Sequence, residues 1–170
     1  STSFLDGGVL YLMNIKQIFI RNCVLDNIQT LKSGCLSLSL IEACVIEESV
    51  FLRTFSVEDG GGVVIESLKS ISIIATKFID TKANITGSVL TLRNSQLITE
   101  NSEFSNKNPD EGVLMFFDNT MSTSILVSNS KFHKIGTAAK GQTIFSLMNK
   151  LSDPNLLTLT INGISTADSN

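Results

Sequence analysis

The chain has 170 residues, of which 42% are hydrophobic, and its 13 basic and 16 acidic residues leave a net charge of −3. This apolar content suffices for one domain with a sizeable core and excludes a disordered chain. The charges are spread along the length without a basic cluster, which excludes nucleic acid as an expected partner. No apolar run reaches the roughly 18 residues of a membrane-spanning helix, so this segment is not expected to span a membrane.

Glycines recur at a nearly constant interval, and each precedes a short stretch of alternating apolar residues. The steps between successive glycines are 26, 28, 25, 25 and 29 residues. An alternation of period two predicts a short strand with one buried face. In chain order the glycines are Gly8, Gly34, Gly62, Gly87, Gly112 and Gly141, and the apolar pairs after them are Leu10 and Leu12, Leu36 and Leu38, Val63 and Ile65, Leu90 and Leu92, Leu114 and Phe116, and Phe145 and Leu147.

A second alternation follows in every repeat and predicts a second strand. Its apolar pairs are Ile18 and Ile20, Cys44 and Ile46, Ile71 and Ile73, Leu97 and Thr99, Ile125 and Val127, and Leu159 and Ile161, where Thr99 is the exception. In five repeats a large apolar residue stands five positions later, and we expect these residues to stack in one interior column: Leu25, Phe51, Phe78, Phe104 and Phe132.

A corner is predicted just before each of these large residues. A small residue lies two positions before each of them, at Cys23, Ser49, Thr76, Ser102 and Ser130, and is preceded by Asn22, Glu48, Ala75, Asn101 and Asn129. Asparagine tolerates the left-handed backbone that a bend needs. The last repeat departs from the pattern, with Ile164 and Thr166 at the small and large positions.

Repeats of 25–29 residues with two or three short strands and no helical period predict an all-β fold, a right-handed parallel β-helix of about six coils. The rival fold is a leucine-rich repeat, which requires Leu-x-x-Leu-x-Leu-x-x-Asn. Here Leu90 and Leu92 are followed by Asn94, while the asparagine column belongs to a different strand. We expect residues 1–170 to form a single β-helix domain that is a fragment of a longer chain.

The glycine-led segments Gly7-Gly8-Val9-Leu10 and Gly61-Gly62-Val63-Val64, each followed by an Asn-Ser-x-Phe-like segment, carry a family resemblance. They resemble repeats of the pectin-lyase-like right-handed β-helix superfamily and, more narrowly, of polymorphic outer-membrane adhesins and related surface proteins. The resemblance implies a structural or adhesive module located at the cell surface or outside the cell. A carbohydrate-binding or carbohydrate-cleaving domain is the alternative that it leaves open.

The residue between the two members of each second-strand pair should point outward, and in four repeats it is large and apolar. An outward apolar column predicts that a protein partner, or a further part of the same chain, covers this face. A register error of one residue is the alternative. The residues that we expect to bind the partner are Phe19, Val45, Ile98 and Leu126, with Ser72 and Thr160 at the two remaining positions.

The connection between the first and second strands lengthens towards the C-terminal end. It spans six positions from Leu12 to Ile18, nine from Phe116 to Ile125 and twelve from Leu147 to Leu159. Two protruding loops are therefore expected, with drift in a tolerant surface corner as the alternative. Their candidate contacts for carbohydrate are Asp118, Asn119, Asp153 and Asn155.

The sequence predicts no catalytic residue, no metal site and no cofactor. The acidic pairs Glu47-Glu48, Glu58-Asp59 and Asp110-Glu111 fall at different positions of their coils, and His133 has no triad-like partners nearby in sequence, so solvated surface positions are expected. The three cysteines, Cys23, Cys35 and Cys44, match no zinc pattern. Buried free thiols are the favoured interpretation, with one bridged pair as the alternative.

Overall fold

The structure, a computed structural model, describes residues 2–3, 8–66, 69–85, 89–105, 113–119, 123–133, 143–149 and 157–167. Every regular secondary-structure element in these residues is a β-strand, and the strands pair in parallel into three sheets. The chain visits the first, second and third sheet in turn and then returns to the first. It therefore winds as a β-solenoid, which confirms the all-β, parallel, coiled architecture.

The strand bounds follow the predicted repeat. The first sheet contains β2 (Leu10–Met13), β5 (Leu36–Ser39), β8 (Val63–Glu66), β12 (Leu90–Arg93), β15 (Val113–Asn119) and β18 (Thr143–Asn149). The second contains β3 (Gln17–Arg21), β6 (Ala43–Glu47), β9 (Ser70–Ile74), β13 (Leu97–Glu100), β16 (Thr123–Ser128) and β19 (Leu157–Asn162). The third contains β1 (Thr2–Ser3), β4 (Val24–Thr30), β7 (Val50–Ser56), β10 (Lys77–Ile79), β11 (Lys82–Ala83), β14 (Glu103–Ser105), β17 (Lys131–His133) and β20 (Ser165–Ala167).

The number of turns differs from the prediction in one respect. About four turns, between residues 8 and 105, are described with most of their connections, whereas six coils are predicted. The strands after residue 105 extend the same three sheets in parallel register. The repeat period is therefore right along the whole described chain.

The interior is built from columns of side chains that stack from coil to coil. Phe51, Phe78, Phe104 and Phe132 are fully buried, and successive ring centroids lie 4.6, 5.4 and 4.9 Å apart. The interplanar angles are 16°, 3° and 11°, so the rings stack. The predicted aromatic column is confirmed.

The corner between the second and third sheets has a left-handed backbone in every described coil. Asn22, Glu48, Ala75, Asn101 and Asn129 have φ between 47° and 51°, and Gly163 continues the column with φ of 59°. The asparagines occupy this conformation at low cost because their short polar side chain tolerates it.

At the same corner, a ladder of hydrogen bonds from backbone amides to side-chain hydroxyls connects successive coils. The amide of Ser49 donates to the Oγ1 of Thr76 (3.4 Å), the amide of Thr76 to the Oγ of Ser102 (3.3 Å), and the amide of Ser102 to the Oγ of Ser130 (3.4 Å). Each of these four hydroxyls also donates to the carbonyl two residues earlier, at 2.9–3.0 Å. The small residues of the motif are therefore buried hydrogen-bonding links between coils.

One strand of the first sheet is displaced by one residue from its prediction. The sequence predicts that Leu114 and Phe116 face inward, but Leu90 pairs with Met115 and Leu92 with Phe117. Met115 is fully buried. The prediction fails because the five consecutive residues from Val113 to Phe117 are all apolar. Their sequence does not indicate which of them face inward, and pairing with the neighbouring strand determines it.

Gly34 lies where the backbones of two adjacent coils are in close contact. A Cβ atom on Gly34 would lie 1.9 Å from the carbonyl oxygen of Gly60 and 2.8 Å from that of Gly62. Only a residue without a side chain fits there. Gly87, Gly112 and Gly141 lie outside the described residues.

All three cysteines have free thiols, as favoured from the sequence. Cys35 and Cys44 are buried in the core, and Cys23 is half-buried at the head of the hydroxyl ladder, where its amide donates to the Oγ of Ser49 (3.2 Å). Burial raises the pKa of the Cys35 and Cys44 thiols to about 12.

Candidate functional site

The predicted apolar residues form one column on the outward face of the second sheet. Strand pairing places Phe19 beside Val45, Val45 beside Ser72, Ser72 beside Ile98, Ile98 beside Leu126 and Leu126 beside Thr160. On either side of each of the first five, along the strand, lie buried residues of the core, such as Ile18 and Ile20. The alternative of a register error is thereby wrong. We call Phe19, Val45, Ile98 and Leu126 the apolar column.

The members of the apolar column differ in exposure. Phe19 is 52% exposed and Ile98 37%, while Val45 and Leu126 are half-buried between their neighbours. Ser72 interrupts the column in its middle. The apolar column is thus an accessible apolar surface on a hydrogen-bonded sheet, and the sheet holds its side chains at a fixed spacing.

Polar side chains border the apolar column at its N-terminal end. The guanidinium carbon of Arg21 lies 4.9 Å from the centroid of the Phe19 ring, and the Nε of Arg21 lies 2.8 Å from a carboxylate oxygen of Glu47. The guanidinium therefore covers part of the ring and is held by an ion pair on the next coil. An apolar centre with a charged border is the usual arrangement of a protein interface.

Of the residues expected in the two C-terminal loops, Asp118 and Asn119 lie in a strand. β15 extends through Asn119, so Asp118 and Asn119 lie in a strand, opposite Met148 and Asn149 of β18. The extra residues lengthen the strand because β18 continues the pairing beyond the end of β12. Asp153 and Asn155 lie outside the described residues, as do Asp110 and Glu111.

The structure shows a second candidate site that the sequence interpretation missed, a cleft of about 290 Å³ over the outward face of the first sheet. The connection that follows β7 folds back over this face, and it buries Val64 although Val64 occupies an outward position. Gly60 lies directly against Val64. The cleft is lined by Tyr11, Lys32, Ser33, Ser37, Ser39, Glu58, Asp59, Val64, Glu66 and Arg93.

Arg93 forms ion pairs with two acidic residues that line this cleft. It donates to an oxygen of Asp59 at 2.5 Å and to an oxygen of Glu66 at 2.9 Å. Burial lowers the pKa of the guanidinium, but the hydrogen bond and charge of Asp59, with help from Glu66, outweigh burial and raise it above its usual value. Arg93 thus joins the fold-back connection to two successive coils.

Part of this cleft was detectable in the sequence. Glu66 and Arg93 occupy the same position of consecutive repeats, and opposite charges there indicate a cross-strand pair. The sequence predicts Asp59 as one half of a solvated acidic pair, because nothing in the repeat indicates that the connection containing Asp59 folds over a sheet. His133, for which the sequence predicts a solvated surface position, is half-buried in β17.

No protein-family model, curated protein or solved structure matches this chain. Among the residues that the structure describes, no group of three or more histidine, cysteine or acidic side chains is placed to hold a metal ion. A search of the same residues finds no helix with the length and apolarity to cross a membrane.

Proposed function

We propose that this chain is a non-catalytic β-helix module of a larger surface or assembly protein and that it docks a protein surface along the apolar column. The observation that carries the proposal is the alignment of four large apolar side chains on one outward face, in register across five coils. Solvent-facing strands ordinarily carry polar residues at such positions.

The geometry of the sheet favours a protein as the occupant of this face. Adjacent coils are spaced by about 4.8 Å, so four steps from Phe19 to Leu126 give a strip roughly 19 Å long. The strip is rigid because each strand is bonded to both neighbours, and a rigid surface loses little conformational entropy on binding. The occupant is either a partner chain or a further part of the same protein.

The finer classification rests on resemblance and belongs to the same proposal. The glycine-led repeats and asparagine corners support membership of the pectin-lyase-like superfamily, with the adhesin-type surface repeats as the narrower assignment. A location at the cell surface or outside the cell follows from that assignment. A role in adhesion would use the apolar column as its contact.

Hydroxyl-radical footprinting tests the docking surface directly. Oxidation of Phe19 and Leu126 is compared between the isolated 170-residue chain and the full-length protein in its native assembly. We expect severalfold protection of both residues in the assembly, with unchanged oxidation of Val24 and Ile85, which are 72% and 70% exposed elsewhere on the solenoid. Equal oxidation of Phe19 in the two samples would show that nothing docks on this face.

Matched variants separate docking from folding. Phe19→Ser with Ile98→Ser removes the most exposed members of the apolar column, and Val24→Ser removes an exposed side chain from the third sheet. We expect the double variant to lose assembly while its circular dichroism and unfolding midpoint resemble those of the control. Retained assembly in the double variant contradicts the proposal.

Carbohydrate binding is the second candidate function, and the cleft around Arg93 is the observation that favours it. The ring of Tyr11 is partly exposed at the cleft wall, and serine, carboxylate and guanidinium groups surround it. Sugars bind to such combinations of an aromatic face and hydrogen-bonding groups. Calorimetric titration with neutral and acidic oligosaccharides tests it, because binding that Tyr11→Ala abolishes and Phe19→Ser preserves would place the ligand in the cleft.

A further inference from the structure

Three buried hydroxyl groups in the third sheet have no hydrogen-bond partner among the described residues. They belong to Thr30, Thr54 and Ser56, whose side chains are buried in the interior. They contrast with the hydroxyls of Ser49, Thr76, Ser102 and Ser130, each of which both donates and accepts. An unpaired buried hydroxyl costs about 1–3 kcal/mol, so three of them together require an explanation.

The three hydroxyls are neighbours in the fold. Thr30 pairs with Ser56 across β4 and β7, and Thr54 lies two residues before Ser56 on the same inward face. Buried Thr81 adds a fourth hydroxyl beside Thr54, because the residue after it, Lys82, pairs with Phe55. We call these four residues the hydroxyl corner.

The coil spacing determines what can connect these oxygens. Equivalent backbone positions on adjacent coils are about 4.8 Å apart, and none of the three oxygens forms a direct hydrogen bond with another described residue. One water between two hydroxyls spans about 4.5 Å, because two bonds of about 2.8 Å meet at its tetrahedral angle. A buried water needs about two to four polar partners, and the hydroxyl corner offers three or four.

We propose that the hydroxyl corner binds ordered internal water that bridges Thr30, Thr54 and Ser56 between successive coils. Bridging water satisfies all three unpaired oxygens without any change of backbone. It also makes the corner specify the register of the coils, because a slip of one residue turns these hydroxyls outward and away from the water.

Thr99 supplies the internal comparison. Its hydroxyl is also buried and without a partner, but it lies in the second sheet between Ile73 and Val127, which are both fully buried and apolar. A water beside Thr99 would lack a second polar partner in that column. The same chemical change should therefore have opposite effects at Thr99 and in the hydroxyl corner.

The test replaces each threonine by isosteric valine in the full chain and measures the folding equilibrium constant by urea denaturation. We expect Thr99→Val to raise the constant about two- to tenfold, because an unpaired hydroxyl is removed from an apolar site. Thr54→Val is expected to lower it by about two- to tenfold, because a bridging water loses a partner. An increase for Thr54→Val would overturn the proposal.

A second measurement does not depend on variant stability. Water-selective nuclear Overhauser spectra of the wild-type chain should show long-lived water next to the methyl groups of Thr30 and Thr54 and none next to that of Thr99. The absence of a water signal at Thr30 and Thr54 would also overturn the proposal.

Discussion

Single residues with a left-handed backbone form the corner between the second and third sheets. The left-handed backbone there is occupied by asparagine in three described coils, by glycine in one, and by Glu48 and Ala75 in the remaining two. A residue with a Cβ atom pays roughly 1–2 kcal/mol in this conformation, and asparagine recovers part of that cost through local hydrogen bonds. Ala75, with φ of 48°, has no polar side chain with which to recover it.

Replacing Ala75 by asparagine should therefore stabilise the chain. We expect Ala75→Asn to raise the free energy of unfolding by about 0.5–1 kcal/mol, measured by urea denaturation. The matched control is Ala43→Asn, a change within strand β6, which should give no gain because asparagine is disfavoured in strands. Equal effects of the two substitutions would show that the left-handed backbone does not limit stability here.

At the scale of single elements, the aromatic column connects four successive coils of the solenoid. Each ring lies on a different strand of the third sheet, on β7, β10, β14 and β17, and contacts the ring of the next coil. The energy of the column thus depends on pairs of strands that are far apart in sequence.

A double-mutant cycle measures that dependence. Phe78→Leu and Phe104→Leu should show a coupling free energy of about 0.5–1.5 kcal/mol, because each removes the same stacked pair. Phe78→Leu combined with Phe132→Leu is the control, since those rings are two coils apart and their effects should add within about 0.5 kcal/mol. A coupling as large in the control pair would mean that a loss of one ring rearranges the whole column.

The repeat made most of this architecture predictable. A position that recurs with the same residue type, such as the phenylalanines or the small residues before them, must stack on itself, and the structure confirms both columns. Prediction failed where the local pattern is uniform, as in the apolar run around Met115, whose register is determined by pairing with the neighbouring strands β12 and β18. It also failed for Asp59, because the fold-back of a connection leaves no periodic trace in the sequence.

The two candidate sites were unequally predictable for the same reason. The apolar column belongs to the repeat, and its outward position follows from strand alternation alone. The Arg93 cleft needs the connection after β7 and joins groups that are 34 residues apart in sequence. Because the two sites lie on different sheets, a variant at one site can be tested without altering the other.

At the scale of the whole molecule, the buried thiols make global stability depend on pH in the alkaline range. The pKa of Cys35 and of Cys44 rises from the ordinary value of 9.0 to about 12 because burial disfavours the thiolate. Below about pH 8 both thiols are protonated in the folded and the unfolded chain, so they contribute almost no pH dependence there. Between pH 9 and 12 only the unfolded chain ionises, and the folded state loses stability as the pH rises.

The free energy of unfolding should therefore fall by about 2 kcal/mol per buried thiol between pH 8 and pH 10.5. Urea denaturation at the two pH values measures the fall, and the variant with both Cys35→Ala and Cys44→Ala should lose most of it. Cys23→Ala is the control, because it retains both core thiols and with them the pH dependence. If the double variant shows the wild-type slope, the buried thiols are not the cause of the alkaline instability.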